Sequence, residues 1–174
     1  MRAVVVYESM YGNTHLIAEA IGAGLRSAGE VAVVHVDHAL PELLEPADLL
    51  VVGGPTHGHA MTRETTRQSA VDDAHKPGST LTLDPDAEGE GLREWFDALG
   101  SLDCAAAAFD TRFDMAAALT GRASKGIKKR LAHHGLHLVA PPESFFVVKG
   151  NTLEDGEAAR AEDWGRTLAE AVTS

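Results

Sequence analysis

The first 25 residues constrain the fold most, because they predict a strand, a short polar loop and a helix in that order. Residues 2–7 read Arg-Ala-Val-Val-Val-Tyr, an apolar run without the alternation of a half-exposed strand. Such a run is typical of a strand buried on both faces of a parallel sheet. Apolar residues then recur at helical spacing: Ile17, Ala18, Ile21 and Leu25. That spacing predicts a helix that packs on the sheet.

The loop between this strand and this helix predicts an anion site. The first turn of a helix has backbone N–H groups without intrahelical acceptors, and the positive end of the helix dipole lies there. The loop has no Gly-Lys-Ser/Thr sequence and only one glycine, Gly12, which excludes the nucleotide triphosphatase loop and the dinucleotide fingerprint. A monophosphate remains, held by the Ser9, Asn13 and Thr14 side chains and by backbone amides.

Residues 5–14 read Val-Val-Tyr-Glu-Ser-Met-Tyr-Gly-Asn-Thr, with Ala18 and Ile21 behind them. This sequence resembles the phosphate loop of the flavodoxins, which binds the phosphate of flavin mononucleotide (FMN). Its Ser-Met-Tyr-Gly part is also similar to the flavodoxin-like quinone reductases. The resemblance implies an FMN phosphate site made by Ser9, Met10, Tyr11, Gly12, Asn13 and Thr14.

Two later segments resemble the flavodoxin loops that surround the flavin ring. Residues 53–61 are similar to the loop after the third strand, and residues 110–114 lie where flavodoxins carry a polar residue and a stacking aromatic ring. The resemblance assigns the ring site to Pro55, Thr56, His57, Gly58, His59, Asp110, Thr111, Arg112 and Phe113. Neither segment offers the Trp or Tyr of many flavodoxins, so we expect looser FMN binding and a higher reduction potential.

Three of these assignments have competing interpretations. Phe113 either stacks on the ring or is buried under the following helix. Arg112 either lies beside the flavin, where it favours the anionic reduced ring, or pairs with a nearby carboxylate. His57 and His59 could share a metal ion, but no third ligand has an obvious spacing, so no metal site is predicted.

Strands and helices alternate along the chain and predict an α/β fold. The first loop favours the flavodoxin-like architecture, a three-layer α/β/α sandwich with a five-stranded parallel sheet in the order 2-1-3-4-5. The predicted strands cover residues 2–7, 31–36, 48–52, 104–109 and 136–148, the last interrupted by Pro141-Pro142. Residues 1–174 are expected to form a single flavodoxin-like domain.

An insertion is predicted at about residues 62–91, between the third and fourth strands. Thr62 is a candidate N-cap for a helix that ends near Ala74. Residues 76–91 are irregular, and their charged residues are mostly acidic. This stretch is either a lid or docking surface beside the flavin, or a solvated loop.

Charge and composition restrict the partners. The chain has 15 Lys and Arg against 26 Asp and Glu, a net charge of −11. This balance disfavours nucleic acid and anionic membranes and favours basic partners, such as those on which flavodoxins dock. A basic stretch at Lys125, Lys128, Lys129 and Arg130 is interpreted as the solvated face of a helix. The single cysteine, Cys104, and the absence of an apolar run of membrane-spanning length predict a cytoplasmic protein.

The predicted function is electron transfer by an FMN-binding, flavodoxin-like protein with basic redox partner proteins. Because the flavin performs the redox chemistry, no catalytic acid or base is predicted. One alternative is a small FMN-dependent NAD(P)H:quinone-type oxidoreductase. Another is a flavodoxin fold that has lost flavin and acts as a binding or regulatory protein.

Overall fold

The computed structural model describes residues 1–173 and has one twisted sheet between two layers of helices. The strands are β1 (Arg2–Tyr7), β2 (Glu30–His35), β3 (Leu49–His57), β4 (Ala60–Met61), β5 (Ala105–Phe113), β6 (His137–Leu138), β7 (Glu143–Val148) and β8 (Thr152–Leu153). The helices are α1 (Asn13–Leu25), α2 (Pro41–Leu44), α3 (Glu64–His75), α4 (Leu92–Ala98), α5 (Ala117–Thr120), α6 (Ala123–His133) and α7 (Glu157–Thr173). Short 3₁₀ turns cover Arg26–Ala28 and Val36–His38.

The five long strands are parallel and lie in the order β2-β1-β3-β5-β7. This confirms the predicted α/β class and the predicted 2-1-3-4-5 order. The sheet is not strictly five-stranded, because β8 pairs antiparallel with β7, β4 pairs antiparallel with β3, and β6 pairs with β5.

The strand β1 is buried on both faces, which explains its unbroken apolar run. Ala3, Val5 and Tyr7 point into a core formed with α1 and α7. Val4 and Val6 point into a second core formed with α2, α4 and α6. Both cores therefore include side chains of the same short strand, and β1 fixes the two helical layers relative to the sheet.

The central strands β3 and β5 extend further than their sequence predicts. Gly54 pairs with Asp110 and Pro55 with Thr111, so the segments predicted as loops are still strand at these positions. Gly and Pro indicate a loop when taken locally. Here the pairing with the neighbouring strand supplies the register and extends both strands.

The insertion at residues 62–91 packs against the rest of the molecule. The helix α3 begins one residue later than Thr62 would require as N-cap, since Arg63 occupies that position. Thr62 is buried, and its hydroxyl donates a hydrogen bond to the carboxylate of Glu8. Within the irregular stretch, Asp84 and Ala87 are buried. Its central part is therefore packed rather than solvated. No helix within residues 1–173 is long and apolar enough to span a membrane.

The helices α1 and α7 approach closely because glycines lie at their contact. A Cβ atom added at Gly165 would come within 2.3 Å of the carbonyl oxygen of Ile21, and one added at Gly24 within 2.1 Å of that of Glu162. Both obstacles are backbone atoms, so no side chain can rotate to make room. The two helices can therefore lie at this distance only with glycine at these positions.

We expect Gly165→Ala to destabilise the protein by about 1–3 kcal/mol, the usual cost of overpacking. In a helix without such a contact, replacing Gly by Ala stabilises the helix by about 1 kcal/mol. A net loss of stability in Gly165→Ala must therefore come from the steric clash. Gly100→Ala, in the chain after α4, is the control for adding a Cβ atom without a clash, because that atom meets nothing within 4 Å. Urea unfolding of both variants measures the difference, and equal stability of the two would contradict the close helix contact.

Candidate functional site

A cleft opens at the carboxyl ends of β1, β3, β5 and β7. Its empty volume, including the part open to solvent, is about 720 Å³. In a parallel sheet of this strand order, ligands bind at this edge, at the point where the strand order reverses. The lining residues are Ser9, Met10, Tyr11, Asn13, Thr14, Pro55, Thr56, His57, Leu81, Thr111, Arg112, Phe113, Val147 and Asn151.

Buried hydroxyl groups meet the N-terminus of α1 at one end of the cleft. Ser9 Oγ accepts a hydrogen bond from the Gly12 backbone N–H at 3.1 Å. Gly12 has φ of 90°, a left-handed conformation that turns the chain into the helix and favours glycine. Thr14 Oγ1 lies 2.7 Å from Thr111 Oγ1, and both residues are buried. Hydroxyls, backbone amides and the helix dipole together make this end suited to an anion.

Two side-chain contacts brace this loop from either side. The amide nitrogen of Asn13 donates to the backbone oxygen and the side-chain oxygen of Asn151, at 3.1 and 3.2 Å. The Tyr11 hydroxyl donates to the carbonyl of Ala70 in α3, at 3.0 Å. The amide nitrogen of Asn13 is therefore engaged with Asn151, and its structural role here is to tie the loop to the turn between β7 and β8.

The end of β3 forms one wall of the cleft with Pro55, Thr56 and His57. Beyond them, Gly58 and His59 form the two-residue turn between β3 and β4, with φ of 54° and 71°. Such a turn requires positive φ at both positions. Gly58 and His59 therefore shape the hairpin but do not line the cleft. Burial lowers the pKa of His57, so its imidazole is neutral at pH 7.

The opposite wall contains Arg112 and Phe113. The Phe113 side chain is 52% exposed, so it is not buried under the following helix. Arg112 Nη1 donates to the carbonyls of Phe113 and Met115, at 3.2 and 2.7 Å. Its guanidinium carbon lies 4.8 Å from the ring centroid of Phe146. Within residues 1–173 no carboxylate pairs with Arg112, so its charge in the cleft wall is not neutralised by an ion pair.

Asp110 lies outside the cleft wall and caps a helix. Its Oδ2 atom accepts from the backbone N–H of Ser124 at 2.7 Å, and Thr56 Oγ1 accepts from that of Ala123 at 2.9 Å. Both bonds satisfy amides in the first turn of α6, where a carboxylate also interacts favourably with the helix dipole. Asp110 therefore connects α6 to the sheet edge behind the cleft.

Three lining residues were absent from the sequence prediction: Leu81, Val147 and Asn151. Leu81 belongs to the insertion, whose path no local pattern specifies. Asn151 follows Gly150 in the turn after β7 and has φ of 63°. A Gly-Asn pair after a predicted strand is a turn signal, and it could have placed Asn151 at the same sheet edge. Among residues 1–173 no three His, Cys, Asp or Glu side chains are placed to share a metal ion.

The insertion is attached to the loop before α1 by polar contacts. The backbone N–H of Asp84 donates to the carbonyl of Met10 at 2.8 Å. The carboxylate of Asp84 lies 3.1 Å from Nδ1 of His15, whose ring stacks on that of Tyr7 at 4.5 Å. The anion loop is consequently covered on its outer side by packed chain.

A buried carboxylate completes this attachment. Glu8 is 2% exposed, and its Oε2 atom accepts from the backbone N–H of Leu92 at 2.9 Å. Its other oxygen accepts from the hydroxyl of Thr62. Burial raises the pKa of the Glu8 carboxyl above the ordinary value of 4.5. Glu8 thus joins the start of the cleft loop to both ends of the insertion.

This raised pKa predicts how stability depends on pH. The folded protein binds the Glu8 proton more tightly than the unfolded chain does, so the contribution of Glu8 to stability falls as pH rises above about 4.5. Glu8→Gln cannot titrate at this position. We expect the unfolding free energy of the parent protein to decrease relative to Glu8→Gln between pH 4 and 7, measured by urea unfolding. Parallel pH profiles would disprove the effect.

A family model described as flavodoxin matches residues 5–164. A search of curated proteins finds no match. Among solved structures, a flavodoxin from the domain Archaea is 22% identical over the full length of both chains, with a TM-score of 0.67. Flavodoxin 1 from Bacillus cereus is 20% identical over 98% of each chain, with a TM-score of 0.66.

A third solved structure is a flavodoxin described as a WrbA-like protein from Agrobacterium tumefaciens. It is 17% identical over 99% of this chain and 97% of that chain, with a TM-score of 0.59. At identities this low, the three structures show a shared fold.

Proposed function

Since the chain belongs to the flavodoxin family, we propose that it binds FMN non-covalently in the cleft and transfers electrons. Membership of the family implies a flavin cofactor, typically FMN. The observation that carries the proposal is the meeting of the Ser9, Thr14 and Thr111 hydroxyls at the N-terminus of α1. A phosphate needs such donors, and the site provides them without a basic side chain.

The residues present fit the phosphate end of FMN. Ser9 and Thr14 are buried, so their hydroxyls are held in place before a ligand arrives. The left-handed turn at Gly12 directs the first amides of α1 toward the same point. A Cβ atom at Gly12 would meet only Asp84, at 3.9 Å. Glycine is therefore required there by backbone conformation rather than by lack of space.

The two walls of the cleft would hold the flavin ring. Pro55, Thr56 and His57 lie on one side and Thr111, Arg112 and Phe113 on the other. When bound, FMN supplies the redox chemistry, accepting and releasing electrons. The uncompensated charge of Arg112 favours a ligand that gains negative charge on reduction, and His57, being neutral, adds no further positive charge. The side chains thus bind and orient the cofactor, and none is assigned as a catalytic acid or base.

The half-buried Cys104 is unpaired, and an unpaired cysteine persists in a reducing compartment, which supports a cytoplasmic location. We therefore propose that the protein acts as an electron carrier in the cytoplasm. The alternative enzyme, an NAD(P)H:quinone-type oxidoreductase, would use the same cofactor in the same cleft.

Binding of FMN tests the site directly. We expect Thr14→Val to weaken FMN binding by about 10–100-fold, the effect of losing a hydrogen bond to a charged group. Thr167→Val is the matched control, because Thr167 is an exposed threonine on α7 that bonds only the backbone of Asp163. Quenching of FMN fluorescence on titration with each apoprotein gives the dissociation constants. Equal constants for the two variants would remove Thr14 from the phosphate site.

Reduction of the FMN-loaded protein separates a carrier from an enzyme. For a carrier, we expect an anaerobic titration to proceed in two separate one-electron stages. We also expect NAD(P)H to be oxidised no faster with the protein than with free FMN, with or without a quinone present. Rapid, quinone-dependent NAD(P)H oxidation would instead identify the oxidoreductase and overturn the carrier assignment.

A further inference from the structure

Positive charge is concentrated in one segment of this acidic chain. Residues 112–149 contain seven Lys and Arg and two Asp and Glu, a net charge of +5. The rest of the chain contains eight Lys and Arg and 24 Asp and Glu, a net charge of −16. The segment runs from the end of β5 to the turn after β7, so it borders the cleft.

Most cations in this segment lack a carboxylate partner, unlike those elsewhere. Outside the segment, six of the eight Lys and Arg form salt bridges. Inside it, only Arg130 does so, with Asp97 at 2.6 Å. The remaining six have no ion-pair partner within the described part of the chain: Arg112, Arg122, Lys125, Lys128, Lys129 and Lys149.

Three of these unpaired lysines share one face of α6. Ala123, Ser124, Ile127 and Leu131 of this helix are buried. Lys125, Lys128 and Lys129 are exposed, and a spacing of three or four residues places them side by side. Neighbouring like charges on a helix destabilise it slightly. The arrangement therefore does not serve the stability of the fold.

Exposed apolar side chains cluster in the same segment. Six large apolar side chains of the described residues are exposed, and four belong to residues 112–149: Phe113, Met115, Leu119 and Val148. Phe113 also lines the cleft. Protein interfaces commonly combine an apolar centre with a polar or charged rim, and residues 112–149 supply exposed side chains of both kinds.

The helix α6 is fixed to the cleft wall at its N-terminus. Thr56, which lines the cleft, accepts from the Ala123 backbone N–H. Lys125 is two residues further along, in the first turn, and Lys128 and Lys129 follow in the next turn. The lysines therefore extend outward from the cleft along one helix.

We propose that the cleft margin, made by Phe113, Met115, Leu119, Lys125, Lys128 and Lys129, docks a protein partner with acidic residues around an apolar centre. The net charge of the whole chain predicts basic partners, and that prediction stays applicable to the acidic remainder of the surface. Residues 112–149, which include one wall of the cleft, carry a net charge of the opposite sign. Electron exchange between such a partner and the cofactor rests on the proposed function. The docking surface itself does not depend on that function.

An NMR titration tests the docking surface without any flavin. The probe is a short synthetic peptide of Glu and Leu with a central Phe, added to the ¹⁵N-labelled protein; a second peptide carries Lys in place of Glu. We expect the acidic peptide to shift backbone amides of residues 113–133 and the basic peptide to leave them unchanged. The same spectra show whether the protein remains folded, both here and in the variants described next.

Matched triple variants separate local charge from net charge. We expect Lys125→Gln with Lys128→Gln and Lys129→Gln to weaken binding of the acidic peptide by about 5–10-fold, the combined effect of three surface charges. Arg26→Gln with Lys76→Gln and Arg166→Gln removes the same three charges from exposed positions outside the margin. This control variant should bind the peptide within twofold of the parent.

Several outcomes would overturn the proposal. Equal weakening in both triple variants would assign the effect to net charge. Absence of any amide shift with the acidic peptide would exclude the acidic protein partner. If a DNA duplex shifts these amides and the acidic peptide does not, the surface binds nucleic acid instead. FMN binding is measured separately, from the visible absorbance of FMN, and the peptide titration is then repeated on the FMN-loaded protein. A protein that binds FMN but not the acidic peptide would overturn the docking surface and leave the proposed function standing.

Discussion

The burial of β1 on both faces is the constraint on which the rest of the molecule depends. Its side chains enter two separate cores, so the strand cannot slip by one residue without placing each set on the wrong face. The loop that follows is held at the carboxyl edge of the sheet, and α1 must begin there. The position of the Ser9 and Thr14 hydroxyls is thus a consequence of core packing, which orders the anion end before any ligand binds.

The elements that the sequence predicts correctly are those whose structure is determined by local chemistry. The apolar run of β1, the polar loop and the start of α1 each carry their own signal, and the strand order follows from the family resemblance that this loop shows. The hairpin of β3 and β4 and the strand character of residues 110–113 were not predicted. Gly53, Gly54 and Pro55 indicate a loop locally, whereas pairing with β5 extends the strand.

The cleft shows the same division between local and distant determinants. Eleven of the fifteen residues assigned to the cofactor line the cleft; Gly12, Gly58, His59 and Asp110 do not. These four shape turns or cap α6, so they act on the cleft through the backbone. Leu81 and Val147 were missed because they reach the cleft through the path of the insertion and the pairing of β7. Such placement depends on tertiary contacts that no short sequence pattern encodes.

The separation of charge between residues 112–149 and the rest of the chain has a consequence for how association responds to salt. At low ionic strength the rest of the chain, with net charge −16, repels an acidic molecule before it arrives. At physiological ionic strength the screening length is about 8 Å, so only charges beside the cleft act on a docked partner. At high salt these too are screened. Association with an acidic partner is therefore fastest at an intermediate ionic strength, whereas a uniformly charged surface gives a rate that changes in one direction only.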